Sequence, residues 1–480
     1  MYIFQSKLRR KTAGIFPGCF IWETNMFKRL KECKTLKEIY LVLGNKPFEV
    51  IAIILLLIWI IMPLISTVNQ IEIAFNENYD MARAFVITSD YQHNIQSLGL
   101  ITLEFAVVYL LGRIILNKGQ LLKKIKSEPW HYFLLAMLLW SCICTMLSDD
   151  SHTSFFGTGY RFEGLQTYFY YAAVYVCALV VANGKWRKHL LGLFSFVGNV
   201  VAILVVMQDY GIGFWKDVFA GQLAAMFFHF NHTGYFMNMT IVCTMGMYLF
   251  SESRKWRIWY LLSMLIQVFG LLVNSTFGAF LGSCCALVML LVFFVRFYKK
   301  PALRMLAPVL VIIALSIASY FGYIPNSRGE DMRYNAQMVS GGAEDVVTDA
   351  DDAWLAGHGR IRLWTLGLQM IPKRPIFGYG PEQLDSELAQ FMWLDRPDNE
   401  FIQYAIFLGV PGLTFYLIAL IWLFLHQWIR LKELDVTTVV AAGCVIAYLV
   451  SALFGNSMFY TTPYLFMFLA FASGRVNNPS

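Results

Sequence analysis

The stretch EVIAIILLLIWIIMPLISTV at residues 49–68 carries one charge in twenty positions. A bilayer core of about 30 Å takes about 20 apolar residues of α-helix, so this stretch reads as a membrane-spanning helix. The whole chain has the same character: 58% of its 480 residues are hydrophobic and 14% charged, where a soluble domain carries about 25% charged residues. Its forty Phe, twenty-five Tyr and thirteen Trp suit an integral membrane protein, because Tyr and Trp sit well at the water interfaces of a bilayer.

Further apolar runs lie near 98–116, 130–148, 166–183, 190–207, 234–251, 258–274, 278–296, 305–323, 400–425, 437–455 and 460–474, giving twelve predicted spans. Lys and Arg are retained on the cytoplasmic side, and they cluster in every second connection. The basic segments are residues 1–48, KGQLLKKIK (118–126), NGKWRK (183–188), SRKWR (253–257), RFYKKPALR (296–304) and HQWIRLK (426–432). The connections between them, at 69–97, 149–165, 208–233, 274–276, 324–399 and 455–462, lack such clusters. Both termini are therefore expected inside and those six connections outside. The net charge of +7 is absorbed by this orientation signal, which leaves no nucleic-acid partner implied.

The expected fold is all-α: a polytopic bundle of about twelve transmembrane helices with a large helical extracytoplasmic loop between spans 9 and 10. Its parts are a basic cytoplasmic segment (1–48), spans 1–9 (49–323), the large outer loop (324–399), and spans 10–12 with a short tail (400–480). Within the outer loop, GRIRLWTLGLQMI (359–371) has a helical pattern with Trp364, Leu368 and Ile371 on one face, ended by Pro372. A second helix is expected around 382–392. The nine cysteines lie in the N-terminal segment or inside apolar runs, so neither a disulfide framework nor a zinc site is expected. No cleaved signal peptide is expected, and Met26 offers a second candidate start.

Ionisable groups inside spans are few. Glu104 is expected to hydrogen-bond a neighbouring helix, and Arg113 lies where it can snorkel to the cytoplasmic interface. Any chemistry is therefore expected at the outer rim, in FFGTGYRFEGLQTY (155–168), GHGRIRLW (357–364) and RPDNEF (396–401). Arginine suits a diphosphate because its planar fork donates two parallel hydrogen bonds. Arg161, Arg360 and Arg362 are candidates for such a clamp, the alternative for each being an interfacial contact with lipid head groups. Asp349-Ala350-Asp351 reads as a solvated acidic loop rather than a metal motif. Tyr160, Trp364 and Tyr379 are candidates for stacking on sugars, or for interface anchoring.

The ordered set of parts resembles the O-antigen ligase and polymerase family of envelope-glycan enzymes. Gly359-Arg360-Ile361-Arg362-Leu363-Trp364 is followed by Pro375-Ile376-Phe377-Gly378-Tyr379-Gly380, then by Asn399, Gly409 and Gly412 entering a helix. Gly157 to Tyr168 and Asn231 to Tyr235 are similar to the family's upstream segments, and the resemblance covers roughly residues 98–470. It implies glycan transfer from an undecaprenyl-diphosphate-linked donor to a glycan or envelope acceptor at the outer membrane face, inverting, with no metal or other cofactor, by an enzyme surrounded by membrane lipid. It also implies arginines on the diphosphate and a histidine base directly before Asn399.

This sequence has Asp398 at that position. Three readings stand: Asp398 is the base; another histidine replaces it, with His358, His232 or His229 as candidates; or ordinary activity is lost. In the first, Arg396 would hold Asp398 ionised. A second departure is Phe277, following Thr276 where many family members carry Arg after Ser, so one carrier contact is missing or Arg362 supplies it. The catalytic candidates are thus Asp398, Asn399 and His358. The rival from another class is a lipid-linked glycan flippase or transporter without transferase activity, which paired intramembrane charges or an internal repeat would favour; the sequence has neither.

Overall fold

The computed structural model describes residues 29–65, 79–157, 161–212, 223–227, 229–324, 333, 360–383 and 396–474. His358, Asp349, Asp351, Tyr160 and most of the expected second loop helix lie outside the described residues. The helices are α1 (Leu36–Leu43), α2 (Lys46–Ile65), α3 (Tyr79–Ser127), α4 (Trp130–Met146), α5 (Ser151–Phe156), α6 (Leu165–Val181), α7 (Trp186–Asp209) and α8 (Phe230–Phe250). They continue as α9 (Arg254–Asn274), α10 (Phe277–Phe297), α11 (Lys299–Tyr320), α12 (Arg360–Met370), α13 (Glu400–Ile429), α14 (Val436–Ser451) and α15 (Thr462–Ala472). No strand occurs among the described residues.

Each of the twelve apolar runs falls on a helix. Among the described residues eight helices are long and apolar enough to cross a membrane, α4, α6 and α15 are apolar but shorter, and α8, although 21 residues long, is not among the eight. The shortfall is greatest in α15, where every residue from Thr462 to Ala472 is buried: protein rather than lipid surrounds it. Helices α8, α14 and α15 form the centre, with α8 against α9, α10 and α14, and α15 against α6 and α14.

Buried polar side chains join these helices. Gln267 donates to Asn199 Oδ1 at 2.7 Å and to the Ser195 carbonyl at 2.9 Å, Asn199 donates to Ser263 at 2.8 Å, and Asn238 donates to Ser451 at 2.6 Å. Such bonds hold helices together where surrounding lipid supplies no hydrophobic drive. Glu104 departs from expectation: it is exposed on α3, with no hydrogen bond to a neighbouring helix among the described residues.

Polar contacts between connections join like with like. Arg187 pairs with Asp435, and Tyr248 reaches the Arg304 carbonyl, all in or beside basic connections. At the other end Arg374 pairs with Asp149 at 2.6 Å and Asn274 donates to the Leu223 carbonyl at 2.8 Å.

Helix α13 is broken at Gly409, whose φ is +67°, a conformation costly for any residue with a Cβ. Against the break lies the 375–380 segment. Tyr379 N–H donates to the Ile406 carbonyl at 2.9 Å, Gly380 N–H to Phe407 at 2.9 Å, and Val410 N–H to Pro375 at 2.8 Å. The Leu408 carbonyl accepts from Trp140 Nε1 at 2.9 Å, and the Trp140 ring stacks on Phe377 at 5.1 Å. A Cβ on Gly409 would collide with the Ile376 carbonyl, and one on Gly378 with the Ile406 carbonyl. Gly378 and Gly409, one glycine from each motif, are therefore there for backbone approach.

Helix α12 covers the expected pattern but turns another face inward: Leu363, Gly367 and Met370 are buried while Leu368 is exposed. Gly367 decides this, since a Cβ there would collide with Ile402 of α13, and the closest packing forms along the side that has none.

Gly409→Ala is expected to lower the thermal unfolding midpoint of the detergent-solubilised protein, with a cost of at least about 1–3 kcal/mol from backbone strain. Gly192→Ala, on α7 with only ordinary contacts around the new methyl, leaves the midpoint unchanged or raised.

Candidate active site

The 396–400 turn is built by its own residues. Asn399 caps α13: its Oδ1 accepts from the backbone N–H of Phe401 at 3.0 Å and Ile402 at 3.1 Å, and its Nδ2 donates to the Leu453 carbonyl at 3.1 Å. Just before the cap, Asp398 has φ +47°, uncommon for a residue other than glycine though Asp tolerates it better than most. Its carbonyl accepts from Trp364 Nε1 at 3.3 Å. The Asp398 side chain is gripped at one oxygen, where Oδ1 accepts from Asn456 Nδ2 at 2.7 Å; Oδ2 lies 4.0 Å from Arg360 Nε.

Asp398 and Arg360 line a cavity of about 270 Å³ shared with His229, Asn231, Tyr235, Thr276 and Phe277. Three buried polar atoms at this place have no hydrogen-bond partner among the described residues: Arg360 Nε, the Tyr235 hydroxyl and Asn456 Oδ1. Buried polar atoms are seldom left unsatisfied, so their convergence marks a place for a polar ligand. Phe277 occupies the wall where the resemblance expects an arginine.

His229 is held neutral, because burial together with the nearby Arg161 and Arg360 pushes it down to about 3. Its Nδ1 accepts from the Asn231 N–H at 3.2 Å, which leaves the ring proton on Nε2. In this form His229 offers a donor and no free lone pair, the reverse of what a base requires. His232 is buried behind the cavity, stacked on Tyr460 at 5.7 Å.

Arg161 reaches the site from the turn before α6, its Nη1 3.4 Å from Met458 Sδ, near enough to His229 to act on its charge. Arg362 does not line the cavity; two positions on from Arg360, it is about 200° around the helix. Arg396 departs most from expectation. It forms an ion pair with Glu382, both side chains 2% exposed, with its guanidinium over the Phe407 ring. The cation beside Asp398 is Arg360.

Behind the rim are two buried carboxylates that sequence reasoning missed. Glu163 accepts from Tyr171 at 2.7 and 2.8 Å, and burial pushes its carboxyl upward against the pull of Arg396 and Tyr171. Glu400 accepts from Tyr416 at 3.1 Å and Tyr448 at 2.9 Å.

The connection at 455–461 ties these parts together. Asn456 holds Asp398, Ser457 accepts from Gln403 at 3.0 Å, and Met458 meets Arg161. Its signal in the sequence is a small polar run, Gly455-Asn456-Ser457, between two apolar helices on the same side as the rim. Among the described residues no group of His, Cys, Asp and Glu is arranged to hold a metal ion.

Residues 261–417 match the family model for O-antigen ligase. The chain carries an O-antigen ligase domain. The match covers about a third of the sequence and takes in α10, α12, Asp398, Asn399 and the Gly409 break, and it supports the resemblance to the O-antigen ligase and polymerase family. No curated protein matches the chain. Several contributors to the site lie outside the matched residues: Arg161, His229, Asn231 and Tyr235 before them, and Asn456 after them.

Glu382→Gln leaves Arg396 buried without its carboxylate, a change expected to cost about 3–5 kcal/mol. Replacing both with Met is expected to recover most of that loss; thermal unfolding of the three variants in one detergent reads the difference.

Proposed function

We propose that this protein transfers or polymerises glycan from an undecaprenyl-diphosphate carrier at the outer face of the cytoplasmic membrane. Twelve helices cross the bilayer with both termini inside, and the 324–399 segment forms the outer loop. The observation that carries this reading is the cavity in which Asp398 and Arg360 stand 4.0 Å apart, beside a neutral His229.

In this reading the acceptor hydroxyl attacks the anomeric carbon and passes its proton to the Asp398 carboxylate. The bond from that carbon to the diphosphate oxygen breaks, and its electron pair leaves with the diphosphate. Attack from the face opposite the leaving group inverts the centre, and no metal takes part. Arg360 and Arg161 stabilise the charge that grows on the diphosphate, a kind of electrostatic support that contributes several kcal/mol to a transition state. His229 Nε2–H is a donor to the same oxygens.

Two supporting residues hold this base in place. Asn399 caps α13 and fixes the turn, and Asn456 holds Oδ1, so that Oδ2 is the oxygen nearer Arg360. The neutral His229 favours Asp398 over the nearby histidines as base. His358 is the remaining histidine candidate, and the variants below separate it from Asp398. Arg362 is a contact to the carrier farther along the outer loop.

The test is transfer in membranes supplied with an undecaprenyl-diphosphate-linked glycan. Asp398→Ala is expected to lose about 10²–10⁴ in rate, the usual worth of a general base, and Arg360→Ala about 10²–10³, while His358→Ala and His229→Gln stay within tenfold of wild type. Asp398→His is expected to keep part of the activity. Because an imidazole ordinarily titrates near 6.5, its rate falls off at higher pH than that of wild type. An Asp398→Ala variant as active as wild type places the base elsewhere.

A further inference from the structure

A second cavity, of about 260 Å³, shares no lining residue with the one at Asp398. It lies among α3, α4 and α6 at membrane depth. Helix α3 packs along α6 and α4 along α13, whereas α3 and α4 scarcely touch, which leaves a cleft between them. Its walls are mostly aliphatic, with Leu110, Leu134, Leu138, Ala172 and Val176 among them. On α6 the lining residues run from Tyr168 to Leu179, about 16 Å at 1.5 Å per residue. That is about half the hydrocarbon thickness, the depth of one leaflet.

The two ends differ in charge. One is closed by the rings of Tyr168, Tyr171 and Tyr404. Arg113 lines the other end, where it forms no ion pair or hydrogen bond among the described residues. His131, on the cavity wall, bonds Glu128 through Nε2 at 2.8 Å, and its other ring nitrogen meets Tyr175 at 2.8 Å. Past Arg113, α3 continues as one helix through KGQLLKKIK, which adds four lysines beyond the same end. Clustered basic residues just outside a membrane helix attract anionic lipid at about 1 kcal/mol each.

We infer that this cleft binds an anionic phospholipid of the leaflet on the basic side, with one acyl chain between α3 and α4 and its phosphate at Arg113. The apolar walls fit a hydrocarbon chain, the length fits one leaflet, and the uncompensated guanidinium fits the phosphate. The donor's diphosphate belongs at the opposite rim, with Arg360, so this lipid is a separate ligand.

The full chain, purified in detergent and incubated with equal amounts of phosphatidylglycerol and phosphatidylcholine, is read by native mass spectrometry. Wild type is expected to retain one phospholipid, phosphatidylglycerol over phosphatidylcholine by about tenfold. Arg113→Gln removes the preference, and Ala172→Phe, which fills the cleft, removes the retained lipid while the protein stays monodisperse. Leu179→Trp, on the same wall, replaces Ala172→Phe if that variant aggregates. Equal retention of the two lipids by wild type, an undiminished preference in Arg113→Gln, or undiminished retention in the filled cleft overturns the inference. So does recovery of a polyprenyl diphosphate in place of the phospholipid.

Discussion

The site depends on a helix that is interrupted on purpose. Within a bilayer a broken backbone is tolerable only where its freed polar groups find partners in protein. At Gly409 those partners are the 375–380 segment on one side and Trp140 on the other. The same contacts that satisfy the break also pin that segment to the bundle. Helix α12, just before that segment, is thereby set down on α13 with Gly367 against Ile402, and Arg360 comes to stand over Asp398. One backbone interlock thus fixes a cation and a carboxylate that are 38 positions apart in the chain.

Around this frame the acidic and basic groups are sorted by depth. The pair of Arg396 with Glu382 and the tyrosine-bound Glu163 and Glu400 are sealed in protein, where each charge or carboxyl is met by a partner. Asp398 and Arg360 stay at the cavity, where Arg360 Nε and the Tyr235 hydroxyl have no hydrogen-bond partner among the described residues. The sealed groups hold the rim in shape; the open ones are able to meet a ligand. Such a division is what a preorganised site needs, since groups that do not move lose nothing to reorganisation when charge develops.

Much of this was legible in the sequence, and the omissions have a common cause. Apolar runs report on a residue's own neighbourhood, and the all-helical architecture follows from them. Partnerships across the chain leave no local trace. Arg396 stands two positions from Asp398, and nothing in RPDNEF says that it turns inward to Glu382. Asn456 lies in a connection too short to attract attention, and its importance comes only from the fold that brings it under Asp398. The buried face of α12 was read one position away because periodicity favours large residues, whereas the packing followed the absence of a side chain at Gly367. Asn399 followed by Glu400 at the head of an apolar run is a readable helix cap, and the structure shows it in that role.

Helix α3 has a consequence of its own. It runs unbroken for 49 residues, about 70 Å at 1.5 Å per residue, while its membrane-length segment is His93–Leu116. About 14 residues precede that segment and 11 follow it within the same rod. A rigid rod longer than the bilayer is thick cannot tilt at one end without displacing the other. The ends of the rod are thus joined by one continuous backbone, so a displacement at the basic end is carried along its length and not absorbed at a joint.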